Sequence, residues 1–93
     1  MDVTAVSIVT GYILEVSFAD GTRRRVDVEA LLRGPMFEPL KNPQLFTQVR
    51  VDPDLGTIVW PNDADIAPEY LYEHGELIHH SAGQDTQSTS KYN

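Results

Sequence analysis

The chain has 93 residues, 41% of them apolar, with 14 acidic side chains against seven Lys and Arg and a net charge of −7. That is room for one globular domain, and the acidic balance argues against a chain that grips a phosphate backbone by itself, because such affinity comes mainly from cationic neutralisation. The absence of cysteine excludes a disulfide framework, thiolate metal ligands and a cysteine nucleophile.

No apolar run approaches the roughly 20 residues that span a bilayer. The N-terminal stretch MDVTAVSIVTGYILEV lacks the basic start of a secretion signal and carries Asp2 and Glu15. These features predict a cytoplasmic protein with no membrane association.

Val3 to Val9 is β-branched and reads as a strand. Thr10-Gly11 punctuates it, and Tyr12 to Phe18 alternates Leu14, Val16 and Phe18 against Ile13, Glu15 and Ser17. The pair predicts a hairpin turning at Gly11. Asp20-Gly21 marks the next turn. A two-residue loop there would oppose Leu14 to Asp27 and Glu15 to Val26. A three-residue loop, Ala19 to Gly21, opposes Leu14 to Val26 and Glu15 to Arg25. It pairs apolar with apolar and acid with base, and it gives Gly21 a left-handed position. The second register is therefore expected, with Leu14, Val16, Phe18, Val26 and Val28 on the core face. Arg23, Arg24 and Arg25 alternate between faces, so they do not make one basic patch. They read as strand charges that discourage edge pairing, with an anion or partner contact as the functional alternative.

Asp27 to Arg33 suits a short helix, with Asp27 as N-cap and Gly34 as stop. Met36, Phe37 and Leu40 are expected as core plugs in an irregular connection. Asn42-Pro43 is expected to open a single turn holding Leu45 and Phe46. Thr47 to Val51 reads as extended, Asp52 to Gly56 as a loop, and Thr57 to Trp60 as a strand antiparallel to the previous one. Pro61-Asn62 ends that strand. Pro68 fits the first position of a helix, with Glu69 at its positive end and Tyr70, Leu71 and Tyr72 as its body. So short a helix must be held by packing, and Trp60 and Leu71 are the expected partners. Leu77-Ile78 is a last docking point. Residues 81–93 are polar and aperiodic and read as a disordered tail after a domain of residues 1–80.

The acidic residues Asp52, Asp54, Asp63, Asp65 and Glu69 invite a catalytic or cation-binding reading. Their spacing matches no EF-hand loop, and Asp beside Pro, Asn and Gly is commonly a turn former. His74, Glu76, His79 and His80 are metal-ligating types, but Gly75 interrupts any helix that would align them. Ser7, Ser17 and Ser81 lie in no G-x-S-x-G elbow, and the scattered glycines form no phosphate loop. No catalytic residue, metal or cofactor is assigned. Trp60 reads as core rather than contact surface. Tyr70 and Tyr72 lie about 200° apart on a helix, so at most one points squarely inward.

The order F-x-D-G (Phe18 to Gly21), V-D-V (Val26 to Val28), F-x-P-L (Phe37 to Leu40), V-x-V-D (Val49 to Asp52), I-V-W-P-N (Ile58 to Asn62), D-I-A-P-E (Asp65 to Glu69) and L-Y (Leu71-Tyr72) resembles a family of short bacterial proteins catalogued as a domain of unknown function. The resemblance covers residues 2–73, and its signature positions are Phe18, Asp20, Gly21, Trp60, Pro61, Asn62 and Pro68. It implies a small α+β fold. Some relatives carry a helix-turn-helix domain after this one, and others are encoded beside a second small protein, as in toxin–antitoxin pairs. No enzymatic activity is established for the family. The polar tail of this chain has no helix-turn-helix pattern, which points away from direct DNA binding.

The fold expected is therefore a single α+β domain of about four to five antiparallel strands with one or two short helices. The expected function is a non-enzymatic, antitoxin-like protein-binding module whose partner is a small protein encoded nearby. The surface expected to meet that partner comprises Asp63, Asp65, Glu69, Tyr70 and Tyr72. The alternatives are a regulatory or oligomerisation domain of a transcription factor lacking its DNA-binding half, and a small hydrolase or metal-binding protein using the Asp cluster; a homodimer is a further expected pairing.

Overall fold

The computed structural model describes residues 1–78. Their strands are β1 (Val3–Thr10), β2 (Ile13–Phe18), β3 (Arg23–Asp27), β4 (Arg50–Asp52), β5 (Thr57–Val59), β6 (Asp65–Ile66) and β7 (Glu76–Ile78). Three short helices join them: α1 (Gly34–Phe37), α2 (Pro43–Phe46) and α3 (Pro68–His74). The result is a small α+β domain with two antiparallel sheets, ordered β1-β2-β3-β7 and β4-β5-β6. The strand count exceeds the four or five expected because β6 and β7, of two and three residues, are too short to show a period.

The alternation of β2 positions the core. Leu14 lies opposite Val26 and Glu15 opposite Arg25, the register of the three-residue loop. The Phe18 amide donates to the Thr22 carbonyl and the Gly21 amide to the Phe18 carbonyl, each at 2.9 Å. Gly21 has φ +88°, a conformation that costs a residue with a Cβ about 1–2 kcal/mol. Leu14, Val16, Phe18, Val26 and Val28 are each no more than 2% exposed. On the opposite face Glu15 bridges Arg23 at 3.0 Å and Arg25 at 3.5 Å. Arg24, on the core-facing side, lies 4.0 Å over the Tyr72 ring. The arginines do divide between faces, but β3 is not an edge strand, because β7 pairs along Arg23 to Arg25.

Several local expectations are corrected. Asp27 to Arg33 is not a helix. Val28 remains tied to the sheet through the Tyr12 carbonyl, leaving room only for a 3-10 turn at Glu29–Leu31. Val28, not Asp27, stands at its N-cap, while the Asp27 side chain accepts the Glu29 amide at 3.0 Å from one position earlier. Met36 is exposed rather than a core plug, whereas Leu40 is fully buried and Phe37 packs at the core margin. Successive helical residues diverge by about 100°, so the α1 turn that directs Phe37 inward sends Met36 out. Thr47 to Val49 is not extended. The amides of Thr47, Gln48 and Val49 bond back to Pro43, Leu45 and Phe46, and the strand starts only at Arg50.

Asn42 opens α2 as expected, its side chain accepting the Gln44 amide at 3.0 Å. This seats Phe46 under Trp60. Trp60 is fully buried, and its indole N–H donates to the Phe46 carbonyl at 2.9 Å. The indole is thereby a second donor, beside the Val49 amide, to a carbonyl at the end of a short helix. Leu71 of α3 is fully buried in the same cluster. A domain this small has only a few kcal/mol of stability, and truncating a buried Trp costs about 3–5 kcal/mol. Trp60→Ala is therefore expected to be unfolded at 25 °C by near-ultraviolet circular dichroism. Trp60→Phe is expected to fold with a lowered urea midpoint.

Candidate functional site

The stretch from Trp60 to Ala64 after β5 is a tight turn whose hydrogen bonds repeat those of the β2–β3 turn. The Trp60 amide donates to the Ala64 carbonyl and the Asp63 amide to the Trp60 carbonyl, both at 2.9 Å. In each turn the side chain of the third residue accepts the amide two positions on, Asp20 from Thr22 at 3.0 Å and Asn62 from Ala64 at 3.2 Å. The turns F-A-D-G-T and W-P-N-D-A are thus one construction used twice. They differ at the left-handed position. The first carries Gly21; the second carries Asp63 at φ +70°, the one non-glycine residue at positive φ among the described residues.

Among the described residues no contact of the Asp63 carboxylate offsets this strain, and the residue is exposed. Left-handed residues without a packing reason concentrate at functional sites. Around it, Asn62 donates its side-chain amide to the Met36 carbonyl at 2.9 Å. That bond draws α1 to the turn and sets Met36, 46% exposed, beside Asn62. Asp65 follows on β6, opposite Val59, with its side chain exposed and Ile66 buried. Met36 is thus an exposed apolar residue joined to this turn through its carbonyl, and methionine adapts readily to an irregular partner.

The remaining residues expected at this surface are placed differently. Glu69 is exposed in the first turn of α3. Tyr70 is half-buried and stacks on the His74 ring at 4.0 Å between centroids. Tyr72 is committed to the fold. Its ring meets Phe18 edge-on at 5.0 Å, Arg24 covers it, and its hydroxyl donates to Asp20 Oδ2 at 2.8 Å. Both tyrosines border the core, so neither stands clear of it.

Asp52 accepts the amides of Asp54 and Leu55, the turn-forming role. Among the described residues no group of three or more His, Cys, Asp and Glu side chains is placed to hold an ion. His79, His80 and the tail lie outside the described residues. No helix among the described residues is long and apolar enough to cross a membrane. A cleft of about 530 Å³ opens elsewhere, lined by Asp27, Glu29, Ala30, Leu32, Arg33 and Lys41. Sequence reasoning missed it, because the cleft brings Lys41 to a turn distant in the chain.

Two short antiparallel sheets and three short helices make a small α+β domain. The chain belongs to the family described as Protein of unknown function (DUF2442), whose profile matches residues 3–76. None of the curated proteins and none of the solved structures compared with it matches.

Two predictions follow from the paired turns. Asp63→Gly removes the left-handed penalty and is expected to raise stability by about 1 kcal/mol, read as a higher urea midpoint. At the first turn, the Thr22 hydroxyl and amide, then the Tyr72 hydroxyl, hold the Asp20 carboxyl below its ordinary value of 3.8. A depressed folded-state pKa contributes stability above the unfolded value that is lost as pH falls through the folded value. The thermal midpoint should therefore fall as pH drops below about 4, where the unfolded carboxyl titrates, and Asp20→Asn should reduce that fall.

Proposed function

We propose that this chain is a non-enzymatic protein-binding module, antitoxin-like, that neutralises a small basic protein encoded beside it. The observation that carries the reading is Asp63, an exposed carboxylate, unpaired among the described residues, held at φ +70° where the chain's other copy of the same turn uses glycine. Asp65 supplies a second exposed carboxylate two residues on, and the exposed Met36 is tied to Asn62 through its carbonyl. Glu69 and the exposed part of Tyr70 extend the surface along α3, and the net charge of −7 steers a basic partner toward it. Tyr72 acts by holding α3 in place.

The partner is expected to co-purify with this chain when the adjacent reading frame is co-expressed. The double substitution Asp63→Lys, Asp65→Lys is expected to weaken that association by about tenfold or more, with a lowered on-rate and a shallower salt dependence. Unchanged affinity in a variant with unchanged circular dichroism would sink the assignment of this surface.

A further inference from the structure

The cleft beside the 3-10 turn lies apart from the acidic turn. We propose that it binds a small zwitterion, an amino acid or short peptide that carries both a free ammonium and a free carboxylate. The claim is independent of the partner reading above.

The volume of the cleft, about 530 Å³, falls within the roughly 300–1,000 Å³ of small-molecule sites. Its walls come from two segments, Asp27 to Arg33 and Lys41, and one residue fixes their spacing. The Tyr12 carbonyl accepts the Val28 amide at 3.0 Å, and the Tyr12 hydroxyl donates to the Lys41 carbonyl. Arg33 and Lys41 each follow a fully buried leucine, Leu32 and Leu40. Both cations thus project from backbone anchored in the core, and the cleft is formed before any ligand arrives.

Charge selects the ligand. Arg23 and Arg25 meet Glu15, Arg24 covers Tyr72, Arg50 lies 3.9 Å from Asp52, and Lys41 lies 3.3 Å from Glu38. Among the described residues, Arg33 is the one Lys or Arg side chain with neither a carboxylate nor an aromatic ring against it. That is notable in a chain of net charge −7, where acids are in excess. Glu29 lines the same cleft, and its carboxylate is likewise unpaired among the described residues. Asp27 commits one oxygen to the Glu29 amide. The bond from Lys41 to Glu38 is an exposed pair, which is weak and open to exchange. Two cations and two carboxylates of the lining cancel. A net anion is repelled by the chain as a whole, and a net cation by Arg33 and Lys41. A zwitterion escapes both. Its carboxylate meets Arg33 and Lys41, and its ammonium meets Glu29 and the second oxygen of Asp27. Arg33 and Glu29 are exposed, so water competes and the complex is weak.

Triglycine is the probe, titrated into the full nitrogen-labelled chain while amide resonances are followed. Saturable shifts are expected at residues 27–33 and 41. N-acetyl-triglycine lacks the ammonium and triglycinamide lacks the carboxylate, and each should bind about tenfold or more weakly. Glycine carries the same two charges closer together. Tighter binding of glycine assigns the site to a free amino acid, and tighter binding of triglycine assigns it to a peptide with both ends free. Arg33→Gln and Glu29→Gln should each weaken the preferred probe by about tenfold with unchanged near-ultraviolet circular dichroism, because neither side chain has a partner to lose. Asp63→Lys, Asp65→Lys should bind the probe as wild type does and Arg33→Gln should retain the basic partner, which separates failure here from failure of the partner reading. Absence of saturable shifts with both glycine and triglycine, equal binding of either blocked peptide, or binding indifferent to Arg33→Gln overturns the proposal.

Discussion

The bond between the Trp60 indole and the Phe46 carbonyl, 2.9 Å long and fully buried, is the constraint on which the rest of the fold depends. Trp60 directly follows β5, and Phe46 ends α2. Joining them pins the irregular connection of residues 34–49 to the three-stranded sheet. Phe46 then meets Tyr12 edge-on at 5.0 Å, and the Tyr12 hydroxyl donates to the Lys41 carbonyl. Tyr12, Phe46 and Trp60 thus form an aromatic run from one sheet to the other. A large buried side chain with a polar tip couples packing to direction, because its hydrogen bond is lost if the ring rotates to fill space differently. With so small a core, that coupling selects one arrangement of two short sheets.

The repeated turn shows how one backbone solution serves two ends. At Asp20 the capping side chain also accepts the Tyr72 hydroxyl, so the turn anchors α3. At Asn62 the capping side chain also donates to Met36, so the turn anchors α1. Each ties down an element that could not persist alone, since helices of four and seven residues are far below the length stable in water. The surplus carboxylate of Asp63 contributes nothing to either task.

Where residues declare a period or a turn chemistry, the fold was legible in the sequence. The β2–β3 register followed from weighing Leu14 and Glu15 against two loop lengths, and Asn42-Pro43 and Pro68 announced their helices. Met36 was misplaced because a single helical turn has no period to reveal its inward face. β6 was invisible because a two-residue strand exists only through its partner β5. At the acidic surface, Asp63 and Asp65 could be named from composition. That Asp63 is strained could not, although the likeness of F-A-D-G-T to W-P-N-D-A was there to be compared. Tyr72 looked available because its tie to Asp20 spans most of the chain.

The pairing of β7 with β3 joins residues far apart in sequence, and this gives the arginine run a role in time as well as place. During synthesis from the N-terminus, β3 is made long before Glu76 to Ile78 exist. Until then it is an open border of a growing sheet, exposed to other nascent chains. Three consecutive guanidinium groups along that border repel a like strand from a neighbouring ribosome product. Once β7 arrives, Arg24 settles over Tyr72 and toward the Gly75 carbonyl, while Arg23 and Arg25 remain on Glu15. The charges that guard the unfinished molecule become contacts of the finished one.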